Sequence, residues 1–190
     1  MGIRPLTTPF SAILCAVALT AAACGGAGAS AQTAPPPPVI PASAVPYLTS
    51  HVSALTAADL LKDGIQPGLA DDLTRWDFRA GSQRTFQGRS HKLQLVVART
   101  LEFGGNAGAR AYVAYVKQHA AGIMGADPVA SPLVSGARRG WIFMPAGCAC
   151  HMAQPALIGI VSGGHRVSYL EVNGPDATAK ALRTLLERAP

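Results

Sequence analysis

Carboxylates are scarce in this chain, with ten Asp and Glu against 16 Lys and Arg in 190 residues. Asp71-Asp72 is the sole adjacent acidic pair, and adjacent side chains on a helix do not face one another, so the pair reads as a helix-end feature. The sequence also lacks a P-loop, a Gly-x-Ser-x-Gly elbow, a His-Glu-x-x-His pair and a Rossmann glycine fingerprint. No signature of a nucleic-acid-binding fold is present. These absences set aside the commonest enzyme classes and nucleic acid as a partner, leaving a non-enzymatic role as the expectation. Long apolar runs are missing too. The longest, Phe10 to Ala23, has 14 residues, short of the roughly 18 expected of a membrane span.

That short run is nonetheless informative. Arg4 precedes it, Cys24-Gly-Gly follows it, and a small-residue and proline stretch continues to Pro46. A basic residue, a short apolar core and a small-residue cleavage region make an export signal. The segment Leu19-Thr-Ala-Ala-Ala-Cys24 resembles the processing site of bacterial lipoproteins, which implies a signal over 1–23 and a lipid on Cys24 at the outer face of the cell membrane. Ala21 stands where that pattern prefers a larger aliphatic residue. The other reading is ordinary cleavage after Ala29-Ser30-Ala31, which secretes the chain. On the lipoprotein reading, residues 24–46 are a tether, Gly- and Ala-rich first and then stiffened by Pro35 to Pro38, and two acyl chains give the anchoring that one does not.

Residues 47–190 are expected to form one domain, large enough to bury a core unaided. Thr56, followed three residues later by Asp59, predicts a capped helix over 57–62, with a helical turn near 67–73. The alternation of Trp76, Phe78 and Ala80 before Gly81 predicts a hairpin whose second strand runs from Ser82 to Phe86. Leu93, Leu95, Val97, Arg99, Leu101 and Phe103 alternate as a central strand should.

Ala109, Tyr112, Val113, Val116, Ala120 and Ile123 form the stripe of one long helix opened by Asn106. A loop with Pro128 and Pro132 leads to a strand at Trp141 and Phe143. Strands over 156–161 and 166–173 join through Ser162-Gly163-Gly164-His165, and Asp176 opens a terminal helix carrying Leu182, Leu185 and Leu186. The sum is an α+β fold, a mostly antiparallel sheet of about six strands with helices on one side. In element order and N-terminus the chain resembles the small domains of actinobacterial lipoproteins of the LpqN or PsbP-like type. The resemblance implies a binding or accessory protein on the cell surface, with an envelope protein or a small molecule as partner.

Of four cysteines, only Cys148 and Cys150 belong to the domain. An exported setting favours a disulfide, although closing so short a loop contributes only about 1.6 kcal/mol. Met144, Cys148, Cys150, His151 and Met152 also place soft ligands within nine residues, a set suited to Cu(I). A dithiol exchanging electrons is a third reading. Finally, Arg75, Arg79, Arg84, Arg89, Lys92 and Arg99 face Asp77 alone over 25 residues. This is a candidate contact for anionic lipid or envelope polymer, against the plainer expectation of a solvated strand face.

Overall fold

The computed structural model describes residues 34–63, 68–125, 127–146 and 156–188, all within a compact unit of Thr33–Pro190. After a short 3-10 turn at Ala42–Ala44 come β1 (Thr49–Leu55), α1 (Ala57–Asp63), α2 (Leu69–Arg75), β2 (Phe78–Gln87) and β3 (Leu95–Phe103). Then follow α3 (Asn106–Gln118), α4 (Ala120–Met124), β4 (Pro128–Ser135), β5 (Arg138–Pro145), β6 (Ala156–Gly163), β7 (Arg166–Asn173) and α5 (Ala179–Glu187). The strands make one sheet in the order β1-β2-β3-β7-β6-β5-β4, with every neighbouring pair antiparallel. The fold is α+β, and among the described residues the sheet has seven strands where six were expected.

Two strands account for the excess. β1 is polar and mostly exposed, so it offers no clear alternation. β4 carries Pro128 and Pro132, which read as a loop but are tolerated on an edge strand, where one side of the backbone makes no ladder bonds. One expected hairpin disappears. Ser82 continues the same strand past Gly81, whose added Cβ would lie 2.9 Å from both Leu101 Cδ2 and Leu55 Cβ. Close packing, not a turn, requires glycine there.

Helices cover both faces, contrary to the expectation of one side. On the first face Leu101, Phe103, Phe143, Ile158, Ile160, Val167 and Tyr169 pack with side chains of α1 to α4. On the second, Phe86, Val96, Ala98, Ile142, Leu157, Val161, Leu170 and Val172 pack with Leu182, Leu185 and Leu186 of α5. β6 explains this in miniature: Leu157, Ile158, Ile160 and Val161 are all buried, so consecutive positions are apolar, and a strand apolar in both phases is covered on both faces.

The domain also begins before Tyr47. Val39, Ile40, Val45 and Leu48 are buried at 2%, 0%, 1% and 8% exposure and belong to the second-face core. The residues read as the distal tether are therefore part of the fold. At the other expected boundaries, α1 opens on the Thr56–Asp59 capping box, with Asp59 N–H donating to Thr56 Oγ1 at 3.3 Å and Thr56 N–H to Asp59 Oδ2 at 3.0 Å. The expected long helix is divided into α3 and α4 at His119, and α5 is capped by Thr178, not Asp176.

Candidate functional site

Strand alternation separates the basic residues nominated from sequence. Arg99 lies opposite Gln83 and Tyr169 on the face of α1 to α4. There it donates through Nε to Gln83 Oε1 at 2.7 Å and stands 5.3 Å from the Tyr169 ring centroid. Burial first, and the nearby Glu171 second, push the Tyr169 phenol well above its ordinary range. Arg84 lies opposite Ala98 and Val52 on the other face. Arg75 pairs with Asp72, and Arg79 with Asp77 at 2.7 Å. Arg89 and Lys92 are exposed between β2 and β3, with Lys92 Nζ 5.7 Å from the Tyr47 ring. The structure does not bring these six together as one ribbon.

Of the sulfur and imidazole group, Met144 on β5 is half-buried and packs against the core beneath α5, an ordinary use of a flexible thioether. Cys148, Cys150, His151 and Met152 lie outside the described residues, as does Cys24. The two tryptophans pack. Trp76 meets Tyr112 and Tyr115 edge-on at 6.2 and 5.7 Å, and Trp141 lies beneath Lys117 Nζ at 3.4 Å.

An open, largely apolar groove of about 460 Å³ lies where the N-terminal segment meets α5. Val45, Leu93, Ala181 and Leu185 give it apolar walls, with Tyr47, Asp176, Thr178, Lys180 and Thr184 adding polar atoms. Its shape follows from local sequence. Gly174 has φ 140°, and a Cβ there would stand 2.5 Å from Lys92 O and 2.8 Å from Leu93 Cα. Only glycine lets the β7–α5 connection press this closely on the β2–β3 connection. Thr178 Oγ1 then accepts from Ala181 N–H at 3.1 Å and starts α5, which faces Val45 across the groove. A second basin of about 600 Å³ is lined by Thr49, Ser50, His51, Thr85, Gln87 and Gly88 at the β1–β2 edge.

Sequence reasoning passed over the groove because it assigned 25–46 to a tether. The signal was present in Val39-Ile40 and Val45, three aliphatic residues among the prolines. A solvated spacer has no use for them, whereas a strap on a core does.

No protein-family model matches the chain, and no curated protein matches it, so the LpqN or PsbP-like resemblance stands on element order and N-terminus alone. Among the described residues no helix is long and apolar enough to cross a membrane. Among solved structures the chain is similar to the extracellular domain of PknH from Mycobacterium tuberculosis, at 11% identity and a TM-score of 0.45, over 73% of this chain and 80% of that one.

Proposed function

We propose that this protein is an exported binding or accessory lipoprotein, held at the outer face of the cell membrane through Cys24, with no catalytic centre of its own. The observation that carries the binding role is the groove between the N-terminal segment and α5. Its size, about 460 Å³, falls within the range of small-molecule sites, and apolar walls with a few polar groups are the usual composition of such sites. The ligand class that fits is a small amphiphile, its apolar part against Val45, Leu93 and Leu185 and its polar part near Thr178 and Lys180. The anchor rests on the sequence around Cys24 and on the proline stretch that leads from it to the strap.

Titration with the uncharged apolar dye N-phenyl-1-naphthylamine tests the groove. Saturable, blue-shifted emission is expected, and it should be lost in Ala181→Trp, which fills the groove from a half-buried position on α5. Non-saturable binding, or binding that Ala181→Trp leaves intact, removes the proposal. Metabolic labelling with palmitate tests the anchor, which Cys24→Ser should abolish. The alternative function is a Cu(I) or thiol-exchange loop at Cys148, Cys150, His151 and Met152, supported by their spacing between β5 and β6. An anaerobic Cu(I) adduct abolished by Cys148→Ser would favour it.

A further inference from the structure

A second cavity lies on the α5 face, at the end of the sheet away from the groove. It has a volume of about 90 Å³ and is lined by Pro37, Val39, Thr100, Arg138, Gly163, Arg166 and Ser168. The register explains why these meet. Ser82, Thr100 and Ser168 stand side by side across β2, β3 and β7, giving a row of hydroxyls on a face otherwise aliphatic. In the next row Glu102 lies opposite Arg166, which lies opposite Gly163 on β6. Gly163 leaves room for the Arg138 side chain, since a Cβ there would stand 2.7 Å from Arg138 Cγ. The strap residues Pro37 and Val39 form the remaining wall.

Among the residues that line this cavity, Arg138 has a donor to spare. Arg138 Nη2 donates to Ser135 Oγ at 3.1 Å and to Leu186 O at 3.0 Å, both uncharged acceptors. Its Nη1 is buried without a partner, as are Ser82 Oγ and Arg84 Nε, which stand on the same face outside the lining of the cavity. Arg138 has no ion pair with a carboxylate among the described residues, whereas Arg166 is paired to Glu102 at 2.6 Å. The local charge is therefore +1, from two guanidinium groups and one carboxylate. A buried N–H left without an acceptor is costly and rare. Guanidinium groups only donate and hydroxyls can also donate, so the cavity is better matched to an acceptor-only guest than to water.

We infer that this cavity is an oxyanion site for a phosphate-type group, held by Arg138 and Arg166 and oriented by the Thr100 and Ser168 hydroxyls. Guanidinium is the side chain best matched to such oxygens, and the hydroxyls serve the oxygens it leaves. The group is either inorganic phosphate or the phosphodiester of a lipid headgroup, two sources with one chemistry. The site is separate from the groove and independent of the ligand proposed for it.

Two arms of one experiment distinguish the sources, both using the full chain carrying Cys24→Ser, so that no acyl chain drives vesicle binding, at low ionic strength. Calorimetric titration with inorganic phosphate is expected to give saturable binding, weakened about tenfold or more by Arg138→Met, as loss of a charge-assisted hydrogen bond implies. Sedimentation with phosphatidylglycerol vesicles, against phosphatidylcholine vesicles carrying the same phosphodiester without net charge, forms the second arm. Binding only there, again dependent on Arg138, identifies the headgroup as the source. Ser168→Val, which keeps both arginines and fills the cavity, should weaken either binding and serves if Arg138→Met does not fold. No saturable binding in either arm, or binding indifferent to both substitutions in folded protein, overturns the inference.

Discussion

The two faces of the sheet are closed by different parts of the chain, and the concavities each leaves are lined differently. The face under α1 to α4 is aromatic. Phe103 contacts Phe78 and Tyr112 with centroids 5.7 and 5.6 Å apart, and Tyr112 stands 6.3 Å from Tyr115. A gap beside Arg99 and Tyr169 has about 30 Å³, room for a water or two at about 10–15 Å³ each, and the basin of about 600 Å³ beside His51 and Thr85 lies at the β1–β2 edge of this same face. The opposite face is aliphatic and covered by the two chain ends, the strap before β1 and the helix after β7. Internal crossovers are pinned at each end by strands, so their side chains can close on the sheet. The segment before β1 and the helix after β7 meet along a seam, and both proposed binding sites border that segment.

The sharpest way to break this comparison is to remove the strap. A chain beginning at Tyr47 loses the buried side chains of Val39, Ile40 and Val45, each worth about 1.5–3 kcal/mol of burial, less the entropy of ordering the segment. Set against a typical total of about 5–15 kcal/mol, the shortened domain should unfold at a much lower urea midpoint than one beginning at Thr33. It should also lose dye binding. Equal midpoints would return residues 34–46 to the status of a tether.

On the aromatic face the expected loss is large but separable from binding. Phe103 is 2% exposed at the centre of the ring cluster, and Phe103→Ala should cost about 3–5 kcal/mol. Because Phe103 lies across the sheet from the groove, the folded fraction should bind dye with unchanged affinity. A parallel loss of binding would mean that the two faces are not independent.

Gly159 sharpens the contrast from the aliphatic side. A Cβ at this position would lie 2.3 Å from Leu182 Cδ2 and 3.0 Å from Leu186 Cδ1, both on fully buried side chains of α5. Gly159→Ala must therefore lift α5 from the sheet, at about 1–3 kcal/mol. Since α5 is one wall of the groove, dye affinity should change together with stability, the reverse of the Phe103 result.

How much of this was legible in the sequence depended on whether burial left a period. The stripe of α3 was readable because one face is buried, whereas in β3 and β7 burial changes phase at Thr100–Leu101 and Tyr169–Leu170, so the alternation read from Leu95, Val97 and Arg99 marked a strand but not its buried side. β6 was readable as a strand, and its unbroken apolar run already contained the second covered face that a one-sided arrangement overlooked. β1 has no such signal, since six of its seven residues are exposed or half-buried and only Leu55 joins the core. Gly81, Pro128 and Pro132 misled for a shared reason. Local turn chemistry was read where tertiary context, a close approach at one and an edge position at the others, decided the outcome. The oxyanion cavity was the least legible, because Thr100, Arg138, Arg166 and Ser168 meet only through register across β3, β7, β6 and β5.

The smallest expected effect belongs to a feature that sequence predicted in full, the capping box of α1. Asp59 is held down to about 2 from 3.8, chiefly by the Thr56 backbone N–H, then by the Thr56 hydroxyl and by Lys62. A carboxyl whose folded pKa is depressed adds stability that is complete above the unfolded value and fades as pH falls through the folded one. The contribution should therefore be present at pH 5 and decline between about pH 4 and pH 2. Thr56→Ala removes the one hydroxyl that both accepts from the Asp59 N–H and donates to its carboxylate, at about 1 kcal/mol near neutral pH. It should also flatten the acid limb of the stability curve relative to wild type. Because α1 packs on the aromatic face through Leu60 and the helix end is exposed, neither dye nor phosphate binding should change. If acid stability and groove affinity fell together in this variant, the division of labour between the two faces would fail at its weakest point.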